Sequence, residues 1–284
     1  MHPILDFLWF AVFATYCYIE ALVKCFIPVK RKSVAGEIVL VTGAARGIGR
    51  LIAFEFAKQR SRLVLWDINK SGIEETAEDC RKLGVEAYPY VVDCSLKEEI
   101  YSAAEKVRIL YTDLLSTQDK DLTIWQCEVL YFSPCFWSHV KSSLQTIKAF
   151  LPAMMKNNHG HIVSIVSAGG FVSVPFLVPY CSSKFAALGL HKGFTKELSV
   201  LGKDGIKTTC LCPYFVSTGL IENPQSRIIP VLKPEAVAKR LMDGILCNQK
   251  QIIISCAIIF LTSWFFTSYV NCKRNSKHFF KSQY

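Results

Sequence analysis

Short apolar runs alternate with amphipathic runs through the middle of the chain. Residues 37–41, 63–66 and 87–92 are apolar runs of strand length, and residues 50–58 between the first two have a helical period. A further apolar run covers residues 161–166 in the second half. Strands that alternate with helices are typical of a parallel sheet with helices on both faces. We therefore predict an α/β fold with a doubly wound parallel sheet.

Two longer apolar stretches lie near the ends of the chain. Residues 4–19 are apolar except for Asp6, and positive charge follows this run at Lys24 and Lys30. A cleaved signal peptide carries its positive charge before the apolar run, so this pattern predicts a retained membrane anchor. The run is near the short limit for a straight span, which needs about 20 apolar residues. An interfacial helix or a monotopic hairpin stays open.

The second stretch, residues 252–270, has two interpretations. It could be a second span, or a buried strand at 252–254 followed by a helix that touches the membrane. In both cases the chain has three parts: a membrane anchor with a basic flank (1–32), a single α/β domain (33–255), and an apolar segment with a basic tail (256–284).

The charge is concentrated at the ends of the chain. The 284 residues include 33 Lys and Arg against 23 Asp and Glu, a net charge of +10, and residues 1–32 and 271–284 together carry +6 of it. Positive charge beside apolar segments indicates an anionic lipid surface as the partner, and not nucleic acid. Because 51% of the residues are hydrophobic, disorder is excluded.

Twelve cysteines are present without a metal-binding pattern. No C-x-x-C pair occurs, and Cys210 and Cys212 alternate within a strand-like run. A disulfide framework suits a short secreted chain, so we expect reduced thiols in a cytosol-facing domain and no metal site.

Three glycines follow the first predicted strand and open the first predicted helix. Gly43, Gly47 and Gly49 lie in the run Thr42 to Gly49, and Asp67 ends the next strand, 24 residues after Gly43. Glycines here allow a tight turn, a close approach of the backbone to a pyrophosphate, and close packing of helix on strand. The strand, glycine loop, helix and acid together predict a dinucleotide site.

The acid indicates which dinucleotide binds. Asp67 would accept hydrogen bonds from the ribose hydroxyls and repel a 2′-phosphate, which favours NAD. Arg46 inside the loop could offset a phosphate and keeps NADP open. Asp93, after the third strand, could bond the adenine edge or cap the helix that follows, and the two roles are compatible.

The second half carries a tyrosine and a lysine at helical spacing. Tyr180 and Lys184 would share one helix face, and Ser167 follows the strand at 161–166. A nearby ammonium would lower the pKa of the phenol toward working pH. Tyr180 could then act as acid or base between an alcohol and a carbonyl, while the Ser167 hydroxyl orients the substrate oxygen.

With these residues the chain resembles the short-chain dehydrogenase/reductase family, and within it the membrane-associated retinol and 17-beta-hydroxysteroid dehydrogenase branch. The resemblance rests on the glycine loop, Asp67, Asp93, residues 148–161, Ser167, residues 180–187 and residues 207–213. It implies a Rossmann sheet, a catalytic set of Ser167, Tyr180 and Lys184, and a lipophilic alcohol or carbonyl substrate. It also implies cofactor contacts from the following residues: Thr42, Gly43, Arg46, Gly47, Ile48, Gly49, Asp67, Asp93, Tyr180, Lys184, Pro213, Val216 and Thr218. Tyr214 departs from the small or polar residue that the family places after the proline.

The region 107–140 departs from the family pattern. The family's fourth strand ends in Asn-Asn-Ala-Gly, and its next helix carries an asparagine that holds a water in a proton relay; neither occurs here. Pro134 would also interrupt a helix. We expect the fourth strand to be missing or replaced, for example by residues 128–132, because an unfilled place would leave backbone groups unpaired at about 1–3 kcal/mol each.

The sequence is compatible with two functions. The first is an NAD-dependent oxidoreductase of retinoid or steroid-like alcohols at the endoplasmic reticulum membrane or lipid droplets, facing the cytosol, with a homodimer left open. The second is a catalytically impaired or inactive membrane protein that retains cofactor binding.

Overall fold

The computed structural model describes residues 30–115, 125–128, 136–173, 177–217 and 231–254, and for 111–115, 125–128 and 136–139 it gives the backbone alone. The chain divides into two compact units, Met1–Lys32 and Ser33–Tyr284. The predicted anchor at 4–19 and the apolar residues from 255 onward lie outside the described residues. Within the described ranges, no helix has the length and apolar character needed to cross a membrane.

Strands and helices alternate along the larger unit. In chain order they are β1 (Ile38–Thr42), α1 (Gly47–Lys58), β2 (Arg62–Asp67), α2 (Lys70–Lys82), β3 (Ala87–Val91), α3 (Lys97–Leu115), β4 (Trp125–Glu128), α4 (Phe136–Asn157), β5 (Gly160–Ile165), α5 (Val178–Val200), β6 (Ile206–Pro213), α6 (Pro234–Leu246) and β7 (Gln251–Ile254). A short 3-10 turn at Ala168–Gly170 lies between β5 and α5.

The seven strands of the described residues pair in parallel in one sheet, in the order β3-β2-β1-β4-β5-β6-β7. The order runs outward from the centre in both directions, which confirms the predicted doubly wound α/β sheet. In such sheets ligands bind beyond the carboxyl ends of the strands, near the place where the order reverses.

Each face of the sheet has its own apolar core. Successive β1 residues point to opposite faces, so Val39 packs with α1, α2 and α6, whereas Leu40 packs with α3, α4 and α5. Trp66 on the second face is fully buried and its ring centre lies 5.8 Å from that of Phe150 on α4. Burial on both faces explains why β1 and β2 are continuous apolar runs in the sequence.

The central place between β1 and β5 is filled by β4. Trp125 pairs with Val39 on one side and His161 on the other, and Glu128 pairs with Thr42 and Ser164. The fourth strand is therefore replaced, not missing. The suggestion that residues 128–132 replace it was wrong, because the pairing strand ends at Glu128 where that segment begins.

The structure bears in part on the two interpretations of residues 252–270, of which it describes residues 252–254. These residues belong to β7, which pairs with β6 at the edge of the sheet, and Ile252 is buried. A membrane span that starts at residue 252 is therefore excluded.

Candidate active site

Site residues from distant parts of the sequence meet at the carboxyl edge of the sheet. Thr42 ends β1, Asp67 ends β2 and Pro213 ends β6, while Ser167 follows β5 by two residues. Because all the strands are parallel, these ends lie along the same edge. The edge thus brings together the predicted dinucleotide site and the predicted catalytic residues.

The glycine loop turns from β1 into α1 through two residues in the left-handed region. Gly43 has φ of +66° and Gly47 has φ of +58°, a conformation that L side chains rarely adopt. A Cβ added at Gly47 would meet no atom within 4 Å, so there is open space at the start of α1. The helix N-terminus is thereby open to an anion such as a pyrophosphate.

The other predicted loop residues divide between surface and core. Arg46 is exposed and directly precedes α1, Gly49 is buried within the helix, and Ile48 is half-buried against the core on the α1 face. Thr42 is buried at the end of β1. The loop therefore offers its backbone and the Arg46 side chain to a ligand.

Asp67 holds the glycine loop in place. Its Oδ2 accepts a hydrogen bond from the Ala45 backbone N–H at 3.0 Å, and its Oδ1 accepts one from the Asn69 N–H at 2.9 Å. A carboxylate has about four acceptor positions, so these two bonds leave capacity for ribose hydroxyls. The same residue can thus shape the loop and bind the ligand.

Asp93 forms hydrogen bonds with residues that follow it closely in the sequence. Its Oδ1 accepts from the Ser95 N–H at 2.8 Å, and its N–H donates to Glu99 Oε2 at 2.7 Å. Ser95 precedes α3 and Glu99 lies in its first turn, so Asp93 forms a local turn that leads into the helix. The capping role and the adenine contact both stay predictions.

Ser167 and Tyr180 are joined by a side-chain hydrogen bond. Ser167 Oγ also accepts from the Gly169 N–H at 3.1 Å, which fixes the hydroxyl at the start of the 3-10 turn. Burial raises the pKa of the Tyr180 phenol above its ordinary value, and the bond with Ser167 opposes that rise. The predicted lowering of this pKa toward working pH was therefore wrong, because burial of the phenol has the largest effect and raises the pKa.

Lys184 lies one helical turn after Tyr180 and is buried, with 2% of its surface exposed. Its Nζ is 5.5 Å from the centre of the Tyr180 ring. A buried ammonium close to a phenol favours the phenolate, whereas the burial of the phenol disfavours it. The predicted catalytic residues therefore form one cluster on α5 and the adjoining turn.

Two glycines of this cluster were missed by the sequence reasoning. A Cβ at Gly169 would lie 3.2 Å from Tyr180 Cε1, and a Cβ at Gly170 would lie 2.9 Å from the Lys184 backbone oxygen. These residues let the turn after Ser167 approach α5 closely. The adjacent glycines at 169 and 170 were the available signal.

The last predicted contacts follow β6. Val216 forms a parallel bridge with Leu232, so the segment after Pro213 is held next to the start of α6. Tyr214 is half-buried, contacts Ala168 beside Ser167, and lies edge-on to Phe215 with ring centres 4.6 Å apart. Thr218 lies outside the described residues.

The two histidines that flank Gly160 lie in different environments. His161 is fully buried on β5, and its Nε2 lies 2.8 Å from Thr209 Oγ1. His159 is at the surface, 3.6 Å from Glu37. The buried hydroxyl partner on β6 explains why His161 is tolerated in a strand core.

Buried cysteines behave as small apolar residues in the described part of the chain. Cys80, Cys210 and Cys212 are buried thiols, and burial raises the pKa of Cys80 to about 12. A thiol with so high a pKa is unreactive at neutral pH.

Comparisons with known proteins agree with this geometry. A family model described as short chain dehydrogenase matches residues 37–227. Estradiol 17-beta-dehydrogenase 11 of Pongo abelii is 53% identical over 93% of this chain and 89% of its own length. The human protein named 17-beta-hydroxysteroid dehydrogenase 13 is 50% identical over 89% of this chain and 86% of its own length.

The fold also matches a solved structure. A short chain dehydrogenase/reductase from Burkholderia phymatum, solved in complex with NAD, superposes with a TM-score of 0.70. The match covers 86% of this chain and 97% of that chain at 20% sequence identity. At this identity the likeness concerns the fold.

Proposed function

The chain belongs to the short-chain dehydrogenase family, and on that premise we propose that it oxidises a lipophilic, steroid-like alcohol with NAD as the cofactor. Membership in this family confirms the predicted oxidoreductase class and the nicotinamide cofactor. The relatives of the chain that were compared above are named as 17-beta-hydroxysteroid dehydrogenases. The observation that carries the proposal is the cluster of Ser167, Tyr180 and Lys184 at the carboxyl edge of the sheet.

The residues of the glycine loop fit a dinucleotide. Gly43 and Gly47 take up conformations that leave the start of α1 open, and Asp67 lies at the end of the next strand. The loop N–H groups and the α1 N-terminus would hold the pyrophosphate, and Asp67 the ribose hydroxyls. When bound, the nicotinamide ring supplies the hydride acceptor.

A negative charge at the ribose favours NAD over NADP. Asp67 is 8% exposed, and a carboxylate at the end of β2 would repel a 2′-phosphate. Arg46 is exposed directly before α1 and is the loop residue that could counter this repulsion. We infer that Asp67 determines the preference for NAD, because two backbone N–H groups fix the position of its carboxylate.

Tyr180 would move the proton of the substrate hydroxyl. Its phenol, as phenolate, would accept that proton at Oη, and the Ser167 hydroxyl would hold the substrate oxygen beside it. The Lys184 ammonium would stabilise the phenolate electrostatically. Lys184 is buried, whereas Ser167 and Tyr180 are half-buried, so a substrate can reach the hydroxyl and the phenol while the ammonium is kept from water.

Apolar and aromatic residues beside Ser167 support a lipophilic substrate. Tyr214 and Phe215 follow β6 directly, and Tyr214 contacts Ala168. The names of the relatives suggest a steroid alcohol such as estradiol. Retinol is a second candidate of similar polarity, from the resemblance to retinol dehydrogenases.

The basic, apolar ends support a membrane location. We propose that residues 1–32 anchor the protein at the endoplasmic reticulum membrane or lipid droplets, with the catalytic domain in the cytosol. Lys30, Arg31 and Lys32 would lie at the anionic surface. A homodimer is compatible with this arrangement.

A catalytically impaired family member is the second candidate function. The observation that favours it is β4, whose sequence Trp-Gln-Cys-Glu fills the central place without the Asn-Asn-Ala-Gly ending. Such a protein would bind the cofactor without turning over the alcohol.

An assay of the purified full chain separates the two functions. Formation of NADH from NAD, or of NADPH from NADP, is followed with estradiol, retinol and a linear long-chain alcohol. Cofactor binding is measured by thermal stabilisation. We expect NAD-dependent turnover of the cyclic alcohols. Cofactor stabilisation without any turnover would overturn the first function and support the second.

A further inference from the structure

One imidazole nitrogen in the core has no partner among the described residues. His191 on α5 is 6% exposed, and its Nδ1 lies 2.9 Å from Ser164 Oγ on β5. Its Nε2 is fully buried and makes no hydrogen bond within the described part of the chain. A buried polar atom left in this way loses its hydration without compensation.

A small cavity lies against this ring, where α4 and α5 cover β5 and β6. Its polar lining comes from four different elements: Ser143 of α4, Ser164 of β5, His191 of α5 and Thr208 of β6. Apolar side chains close the rest of it, among them Ile147, Ile162 and Phe194. Helix α4, helix α5 and the sheet thus each contribute polar groups to the lining of this one small cavity.

Thr208 has an acceptor to offer in this space. Thr195 Oγ1 donates to the His191 backbone oxygen at 2.8 Å, so its only hydrogen is used. The 2.8 Å bond between the Thr195 and Thr208 hydroxyls must then be donated by Thr208. Thr208 Oγ1 therefore retains acceptor lone pairs.

The chemistry of the lining selects the occupant. The lining contains no carboxylate or thiol, so it does not fit a metal ion. An imidazole and three hydroxyls do not fit an apolar ligand either. A water molecule can donate to Thr208 and can either donate to or accept from Nε2, so it satisfies both tautomers of His191.

We propose that this cavity is a binding site for one structural water, held by His191 Nε2 and Thr208 Oγ1. The water links α5 to the sheet on the helix face that carries the active-site residues, since His191 follows Lys184 by seven positions and Tyr180 by eleven. It therefore helps to fix the helix on which Tyr180 and Lys184 lie.

A crystal structure of the full chain, purified in detergent and solved at a resolution that shows ordered water, tests the site. We expect a water peak at about 2.7–3.2 Å from both His191 Nε2 and Thr208 Oγ1. Absence of density there, or a bond from Nε2 to a protein group, would overturn the proposal.

Two variants test the same site by crystal structure. Thr208→Val keeps the shape of the side chain and removes the acceptor, whereas Thr195→Val removes the neighbouring hydroxyl and leaves the two proposed ligands in place. We expect crystals of Thr208→Val to lack the water and crystals of Thr195→Val to keep it. Retention of the water in Thr208→Val, or its loss in both variants, would count against the site.

Discussion

The Asp67 carboxylate binds the Ala45 backbone N–H at 3.0 Å and so joins the end of β2 to the glycine loop. The second oxygen of the same carboxylate binds the Asn69 N–H at the start of α2. One buried side chain therefore fixes the loop that would receive the pyrophosphate and supplies the charge that would select the ribose.

Asp67→Asn separates these two roles. An amide can accept only one of the two backbone bonds, and it no longer repels a 2′-phosphate. We expect weaker NADH binding and a shift of the NADPH-to-NADH affinity ratio toward NADPH by about tenfold, or about 1.4 kcal/mol. The two Kd values are measured by cofactor fluorescence. Asp79→Asn, in the ion pairs of α1 and α2, is the matched control and should leave the ratio unchanged; an unchanged ratio in Asp67→Asn would remove the argument for NAD.

Gly170→Ala tests how closely the turn after Ser167 approaches α5. The new Cβ would lie 2.9 Å from the Lys184 backbone oxygen, which cannot move without the helix. We expect a loss of about 1–3 kcal/mol in the free energy of unfolding and a lower kcat. Urea unfolding measures the first quantity. Gly189→Ala, on α5 itself, is the control, because the added Cβ meets open space there, and it should be neutral or stabilising by up to about 1 kcal/mol.

Cys127→Pro tests the place of β4 in the sheet. Cys127 pairs with Val41 on one side and Val163 on the other, and proline cannot donate a backbone hydrogen bond. We expect a marked fall in Tm, from a loss of at least about 1–3 kcal/mol. Cys127→Val keeps the backbone donor and suits a strand, so it should stay near the parent Tm. Parent-like stability of Cys127→Pro would mean that this segment is not a central strand.

His191 predicts a loss of stability in acid. Burial lowers its pKa from 6.5 to about 4, so between these values the unfolded chain binds a proton that the folded chain does not. Stability from this residue is complete above pH 6.5 and is lost as the pH falls toward 4, by up to about 3 kcal/mol. Urea unfolding across this range measures the slope.

His191→Asn is the comparison for this slope. Its amide can keep a bond to Ser164 but does not titrate, so the slope between pH 6.5 and 4 should be shallower than in the parent. An equal slope in the two proteins would assign the acid sensitivity to other groups.

Pattern and spacing in the sequence were sufficient for the outline of the fold. β1 and β2 are buried on both faces and therefore form continuous apolar runs that are visible without a structure. β4 was missed because Trp-Gln-Cys-Glu has no such run. Its position is decided by pairing with β1 and β5, which are distant in sequence.

Some features of the site likewise follow from local spacing in the sequence, and others depend on tertiary packing. Tyr180 and Lys184 are four residues apart on one helix, so their proximity follows from local geometry. The close approach of Gly170 to α5 and the partners of Asp67 depend on tertiary packing. Burial also raises the pKa of Tyr180, whereas the sequence alone could weigh only the nearby lysine.

In the proposed enzyme, the Tyr180 phenol moves the proton of the substrate hydroxyl. The most direct measurement is NAD-dependent turnover of estradiol by the purified full chain and by Tyr180→Phe, with Tyr88→Phe on β3 as the control. We predict measurable turnover in the parent and in Tyr88→Phe, a loss of about 10²–10⁴-fold in Tyr180→Phe, and unchanged NADH binding in all three. Equal turnover in the parent and Tyr180→Phe, or no turnover by a parent chain that binds NADH, would contradict the account.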